Sequence, residues 1–328
     1  SPPVVQNYLS NRYQYTVVNN INLTMHKINC GVPQGSILGP LLFLLYVNDI
    51  QSAVSGDKLK LFADDTNLFL YNSDLSKLIL EANSDLQSLQ RWFIANKLSL
   101  NIGKTYYSIF TPHRSPVSLP VKIEIEGHEL KQEKCCKYLG VMLDDDLSWS
   151  SHINYVNNKL LKYVGLFYKI RNNLTWECRK TLYYALIYPH ITYAVELFGN
   201  ANAHNLNSLQ TLQNKLLRIL QIKPFKTPTN TLYTTYDTFK IRDLYEINLL
   251  KLIHKIIHQP TQLPFIFQNY LTLNQDIHYF NTRHKSDIFV HQIRTGYGLR
   301  AFKFRSHQIW NVLPNILKKI SVSLNLLL

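Results

Sequence analysis

The chain has 328 residues, 46% apolar and 17% charged, so it has ample material for packed cores and lacks the composition of a disordered protein. Its formal net charge of +14 is lopsided: residues 1–150 hold 13 Lys+Arg against 14 Asp+Glu, and residues 151–328 hold 22 against 7. A basic half of that size points to a polyanion, nucleic acid before anionic membrane, with a merely solvated basic surface as the alternative.

In chain order, residues 7–18 read as a helix end running into a strand, with residues 23–29 as its hairpin partner across Asn19-Asn20. Residues 31–36, GVPQGS, form a sharp loop with two glycines and a proline, and Ser36 can cap the helix that follows. That helix, residues 37–48, is apolar nearly all round and is expected to be buried. Residues 58–71 read KLKLFADDTNLFLY. Two apolar strands, 59–63 and 68–71, flank Asp64 and Asp65 at a hairpin tip. Adjacent like charges repel. A divalent cation held by closely spaced carboxylates is one reading of the pair, and a solvated Asp-rich turn is the other.

An amphipathic helix follows, with Leu75, Leu78, Ala82, Leu86, Leu89 and Phe93 on one face, Ser73 or Asp74 as cap, and an end near Asn96. Residues 98–101 lead to Lys104-Thr105, and 106–110, 121–125 and 137–143 read as further strands. Residues 1–146 thus have an α+β pattern, an antiparallel sheet with helices on one side. From Ser148 the pattern is helical. Ile153, Val156, Leu160, Tyr163, Phe167 and Ile170 form one stripe, with Lys159, Lys162 and Lys169 off it. Residues 175–198, 206–220 and 239–258 are further helical patterns, and 223–230, with Pro224 and Pro228, is a linker candidate. Arg283, Arg294, Arg300, Lys303 and Arg305 lie near residues 310–314.

The four cysteines, Cys30, Cys135, Cys136 and Cys178, make no C-x-x-C pair and no Cys/His ladder at zinc spacing. They read as buried or free thiols of a reducing compartment. The longest apolar run, residues 37–47, is too short to cross a bilayer, and no signal-peptide pattern is present. The expectation is an intracellular protein, nuclear or cytoplasmic, neither secreted nor bound to membrane. Ser1 is not a start methionine, so the chain is expected to be processed or cut from a longer frame.

Four stretches stand in order: GVPQGS at 31–36, FADD at 62–65, N-x-x-K-T at 101–105 and KYLGV at 137–141. Together they resemble the reverse transcriptase of a non-LTR retrotransposon of the jockey-like group. Residues 147–149, 152–153, 213–218 and 310–314 resemble later segments of the same group, so the likeness runs from Asn7 nearly to the end. It implies an incomplete polymerase palm over residues 1–146, an all-α thumb over 147–222 and a basic, mostly helical region over 223–328. It implies an RNA-directed DNA polymerase, with nucleotidyl transfer by two Mg²⁺ (or Mn²⁺) ions about 4 Å apart. Asp64 matches the direct metal ligand and Asp65 its supporting neighbour. Pro33, Gln34 and Gly35 match the segment that meets template and incoming nucleotide. Lys104 matches a lysine near the triphosphate. Tyr138, Leu139 and Gly140 match the primer-grip turn, and Lys159, Lys162 and Lys169 become candidates for the duplex backbone. The plain alternatives are a tight helix-capping turn for the loop, an ordinary exposed lysine, and a strand with a glycine bulge. The implied partners are an RNA template, a DNA primer and deoxynucleoside triphosphates.

The pattern departs from the family at one point. The family uses a third carboxylate upstream of the GVPQGS loop, and residues 1–48 contain no Asp or Glu, the first being Asp49. The fingers, the first catalytic motif and the endonuclease are therefore expected to belong to a missing N-terminal portion of the parent polyprotein. The chain alone is expected to have little or no polymerase activity. A catalytically inactive nucleic-acid-binding remnant is the alternative, and a metal-dependent phosphodiesterase ranks below both. Residues 223–328 read either as an RNA-binding segment or as a structural cap on the thumb.

Overall fold

The structure, a computed structural model, describes residues 2–56, 58–111, 121–268, 270–277, 280, 284–290 and 292–318, so Arg283 lies outside it. The chain divides into two units, Ser1–Tyr107 with Pro116–Lys131, and Ser108–Ser115 with Gln132–Leu328. Helices and short antiparallel ladders make up both.

In the first unit the expected N-terminal hairpin forms. Arg12–Gln14 pairs with His26–Ile28, and Val17–Val18 with Ile21–Asn22, around Asn19 and Asn20 at φ +50° and +62°. Two consecutive residues at positive φ are what a two-residue loop needs to follow strand twist, and Asn tolerates them best after Gly. The helix Leu75–Ala95 is capped by Asp74, whose carboxylate accepts from the amides of Ser76 and Lys77. It buries Ile79, Ala82, Leu89 and Phe93. Leu89 and Phe93 close one small core with Ile50, Val54 and Leu59, and Ile79 closes another with Ile123, Ile125 and Leu130.

Two expectations are corrected. The helix Leu38–Tyr46 buries only Gly39, while Ile37, Leu41, Leu44 and Leu45 are more than half exposed. Apolar character favours burial but does not supply a neighbour. At the end of this helix the Tyr46 hydroxyl donates to the Asn96 carbonyl. The single antiparallel sheet is also replaced. Among the described residues every sheet is a two-stranded ladder. Strands of two to four residues hold too little apolar surface to recruit a third neighbour. They lie against helices instead, as Ile125 does against Ile79.

The second unit begins with the hairpin Cys135–Tyr138 and Val141–Asp144. The helix Ser150–Ile170 buries Ile153, Val156, Leu160 and Phe167, the expected stripe. Residues 175–198 do not form one helix. Trp176–Leu182 runs into a π segment, Tyr183–Ile187, then Tyr188–Thr192, a break at Tyr193, and Val195–Phe198. Pro189 lacks the N–H that would bond four residues back, and wider π turns absorb such a mismatch.

Ala203–Leu220 and Ile241–His258 complete a helical core, in which buried residues from Ile153 to Leu220 and from Leu232 to Ile253 share one interior with Ile288 and Trp310. Amide side chains bridge it: Gln213 Nε2 donates to Tyr183 and to the Phe239 carbonyl, and Gln221 Nε2 donates to the Leu232 carbonyl. Near the end, the buried Lys318 ammonium lies 2.6 Å from Asp287, which also meets His284. Among the described residues no helix is long and apolar enough to cross a membrane.

Candidate functional site

In the first unit, Leu59 pairs with Leu68, Leu61 with Thr66 and Phe62 with Asp65, leaving Ala63-Asp64 as a two-residue loop. The second strand therefore starts at Asp65, not at Leu68 as the apolar run suggested. One carboxylate sits in the loop and the other opens the strand. Ala63 has φ +52°, a conformation that costs an L-residue roughly 1–2 kcal/mol and that short hairpin loops demand. Leu59, Leu61 and Leu68 anchor the hairpin in the small core with Leu89 and Phe93. At its base Lys58 reaches Glu81 at 2.5 Å and the buried Asp85 at 3.3 Å. The hydrogen bond to Glu81 does most to raise the Lys58 pKa.

Both Asp64 and Asp65 are exposed, so water supports two adjacent charges that a buried site could not hold unpaired. Among the described residues no group of three or more His, Cys, Asp or Glu side chains converges. The pair nonetheless fits a hard divalent cation, which takes oxygen donors and draws only one or two carboxylates from protein when substrate phosphates complete its shell.

The loop carrying Pro33, Gln34 and Gly35 is solvent-exposed, with Gly31 and Gly35 at φ +71° and +79°. Ser36 organises it. Its hydroxyl donates to the Pro33 carbonyl at 2.8 Å and accepts from the Gly39 amide at 3.2 Å, the capping role expected of it, while the Tyr8 hydroxyl also meets it. Arg12 clasps the loop from the other side through the Gly31 carbonyl at 2.6 Å. Nothing in the sequence marked Arg12, since a lone arginine beside a hairpin has many uses. Lys104 ends a 3₁₀ turn, Ile102–Lys104, with an exposed side chain. Leu98 and Leu100, just before it, join the core that holds the Asp hairpin. Both features thus rest on one apolar base.

In the second unit, Tyr138 pairs with Val141, so Leu139-Gly140 is again a two-residue loop. Leu139 at φ +46° and Gly140 at +83° give it two left-handed residues, and leucine bears the cost of that conformation. The Tyr193 hydroxyl donates to the Leu139 carbonyl at 2.5 Å. The far end of the hairpin is fastened to the next helix. Trp149 precedes that helix at φ +64° and supplies no cap. Asp144, from the hairpin, does so instead, accepting from the Ser148 and Ser150 hydroxyls and the Ser151 amide. A carboxylate there also opposes the helix dipole favourably. His152 accepts from the Met142 amide through Nδ1 at 3.3 Å, and burial holds its pKa below the ordinary histidine value.

The predicted lysines lie along one side of the helix Ser150–Ile170. Lys162 and Lys169 are exposed. Lys159 is half-buried, with its ammonium 4.5 Å from the centre of the Tyr155 ring. The hydrogen bond from Lys159 is the chief reason that the Tyr155 pKa is lowered. Lys137, on the hairpin, stands 5.9 Å from the same ring. The four-residue spacing of Tyr155 and Lys159 was a readable signal for this pairing. All four cysteines are unpaired, and burial pushes the Cys135 and Cys136 thiols up, away from reactive thiolate.

Residues 1–143 match the family model described as reverse transcriptase (RNA-dependent DNA polymerase). The chain is 28% identical over 215 residues to the probable RNA-directed DNA polymerase from transposon X-element of Drosophila melanogaster, covering 63% of this chain and 23% of that protein. It is 27% identical over 221 residues to the RNA-directed DNA polymerase from mobile element jockey of the same organism, with the same coverages of 63% and 23%. A third relative, the probable RNA-directed DNA polymerase from transposon BS, is 27% identical over 241 residues, covering 70% and 26%. The chain thus spans about a quarter of the length of these curated relatives. Residues 1–143 are thus similar to the reverse transcriptase family, and the relatives that the chain resembles are named as RNA-directed DNA polymerases of mobile elements such as the X-element and jockey.

Proposed function

We propose that the chain is part of an RNA-directed DNA polymerase and works on a DNA primer paired to an RNA template. The observation that supports this most is the exposed hairpin end at Ala63-Asp64-Asp65, which presents two adjacent carboxylates inside the family-matched residues. In this reading residues 1–146 supply part of the palm, 147–222 the thumb and 223–328 a cap on the thumb. The single core that runs from Ile153 to Trp310 favours the cap over a separate RNA-binding module.

Asp64 and Asp65 would hold the divalent cation, Mg²⁺ or Mn²⁺. When bound, that ion polarises phosphate oxygens and offsets charge on the departing pyrophosphate. The chain's own groups do the rest. Gly35, at positive φ and without a Cβ, lets backbone approach a nucleotide, and the Gln34 amide can both donate and accept. The Lys104 ammonium would steady negative charge on the leaving phosphates. The Leu139-Gly140 turn would meet the primer backbone. Lys159, Lys162 and Lys169 would bind duplex phosphates, which fixes position without reading sequence.

Residues 1–48 hold no acidic residue, so the family's third carboxylate must come from elsewhere. The test joins residues 1–328 to the segment that precedes the matched region in the X-element polymerase. RNA-templated primer extension with Mg²⁺ is expected from the fusion, and little or none from the chain alone. Asp64→Asn should reduce the fusion's rate at least a hundredfold while duplex binding persists. A folded, duplex-binding fusion that incorporates nothing rejects the proposal. Robust extension by the unfused chain, abolished by Asp64→Asn, would instead overturn its incompleteness.

A further inference from the structure

The helical pattern over residues 175–198 breaks at Tyr193, and the break turns a tyrosine onto the Leu139-Gly140 loop. Tyr193 ends the helix Tyr188–Thr192 in extended backbone, and Ala194 follows at φ +58°. Two left-handed residues that are not glycine, Leu139 and Ala194, thus lie on either side of one hydroxyl-to-carbonyl hydrogen bond. Such conformations persist where the surroundings over-determine them, and they gather at ligand sites. The ring also lies flush with Gly140. A Cβ built on that glycine would sit 3.4 Å from Tyr193 Cε1 and 3.5 Å from the hydroxyl.

A tyrosine used only for packing would be covered. Tyr193 is 55% exposed and Leu139 37% exposed, so one edge of the ring secures the loop and much of the rest meets solvent. Lys137, two residues before Leu139, adds positive charge on the same hairpin. An exposed ring, a hydrogen-bonded backbone turn and a cation on the same hairpin are the parts of a sequence-tolerant platform for a strand end. Resting on the primer-grip reading above, we propose that Tyr193 and the Leu139-Gly140 loop form one surface that receives the recessed 3′ end of a nucleic-acid strand. The hydroxyl sets the loop, and the ring face stacks on the terminal nucleotide.

The test uses the full chain and an RNA–DNA duplex whose recessed DNA 3′ end carries 2-aminopurine, with a blunt duplex of the same sequence as reference. The parent chain should change the fluorescence of the terminal base and prefer the recessed end. Tyr193→Ala should lose both and bind the two duplexes alike. Tyr193→Phe should keep the fluorescence change and weaken the end preference about three- to tenfold, the scale of one hydrogen bond. Tyr193→Ala with parent-like fluorescence and preference overturns the proposal. If that variant does not fold, an unchanged end preference in Tyr193→Phe overturns it. Duplex binding by the parent with no preference for ends sinks the Tyr193 surface and spares the thumb lysines. No duplex binding at all sinks both.

Discussion

Replacing Lys162 and Lys169 together by Gln should change how duplex binding responds to salt. Both side chains are exposed, and they stand seven residues apart, two turns along one side of the Ser150–Ile170 helix. With a rise of about 1.5 Å per residue, the stripe from Lys159 to Lys169 spans about 15 Å, enough to meet successive phosphates. Each phosphate neutralised releases counterions and adds roughly 0.9 to the slope of log K against log salt on a duplex. Losing two contacts should flatten the slope by about 1.8. Between 50 and 200 mM salt, the parent would then lose roughly twelvefold more affinity than the variant.

Lys159→Gln should flatten it by less, because its ammonium is already engaged by Tyr155. Fluorescence anisotropy of a labelled RNA–DNA duplex over a KCl series measures the slopes. Exposed Lys→Gln changes leave stability within about 0.5 kcal/mol, so urea unfolding serves as the control. A double variant that folds normally and keeps the parent slope would refute the assignment of these lysines to phosphates.

Two stability predictions follow from the second unit. Lys318→Met leaves the buried Asp287 carboxylate without its ammonium partner, and should cost about 3–5 kcal/mol in urea unfolding. Adding Asp287→Asn should recover part of that loss; equal losses in single and double variants would show that the pair is not coupled. His152, His190, His258 and His307 are all held below the ordinary histidine value, in each case chiefly by burial. The unfolded chain binds protons at these positions more readily than the folded one, so their stabilisation is present above about pH 6.5 and is lost as pH falls through the lower folded values. The urea midpoint should drop between pH 7 and 5, less steeply in His152→Gln; a flat profile would contradict the sign.

What was legible in the sequence is what neighbours in sequence decide. The Asn19-Asn20 hairpin, the Asp74 cap and the stripe Ile153–Val156–Leu160–Phe167 each depend on residues within about a turn of one another. The exposure of Leu41, Leu44 and Leu45 was not legible, because burial depends on a partner that the helix does not itself encode. The same holds for the site. Asp64, Asp65 and Lys104 are proposed site residues on the order of short motifs alone. Tyr193 was hidden inside an apparent helix, and its partner Leu139 lies 54 residues away. The register of the Asp hairpin also escaped, since the two-residue loop, and not the apolar run, decides where the second strand begins.

The shared interior of the second unit makes its length a matter of all or nothing. A frame that stopped at residue 222 would remove the carbonyls of Phe239 and Leu232 from Gln213 and Gln221, and Thr238 from Tyr183. Each orphaned buried group costs about 1–3 kcal/mol, before any loss of the apolar cover from Leu232, Tyr236 and Ile241. Against a typical margin of about 5–15 kcal/mol, that is enough to unfold the helix bearing the lysines. Mutational drift therefore has little freedom to shorten the tail while keeping this helix folded. Insertions around Lys223–Thr227, at the exposed surface, are the changes that the unit can absorb.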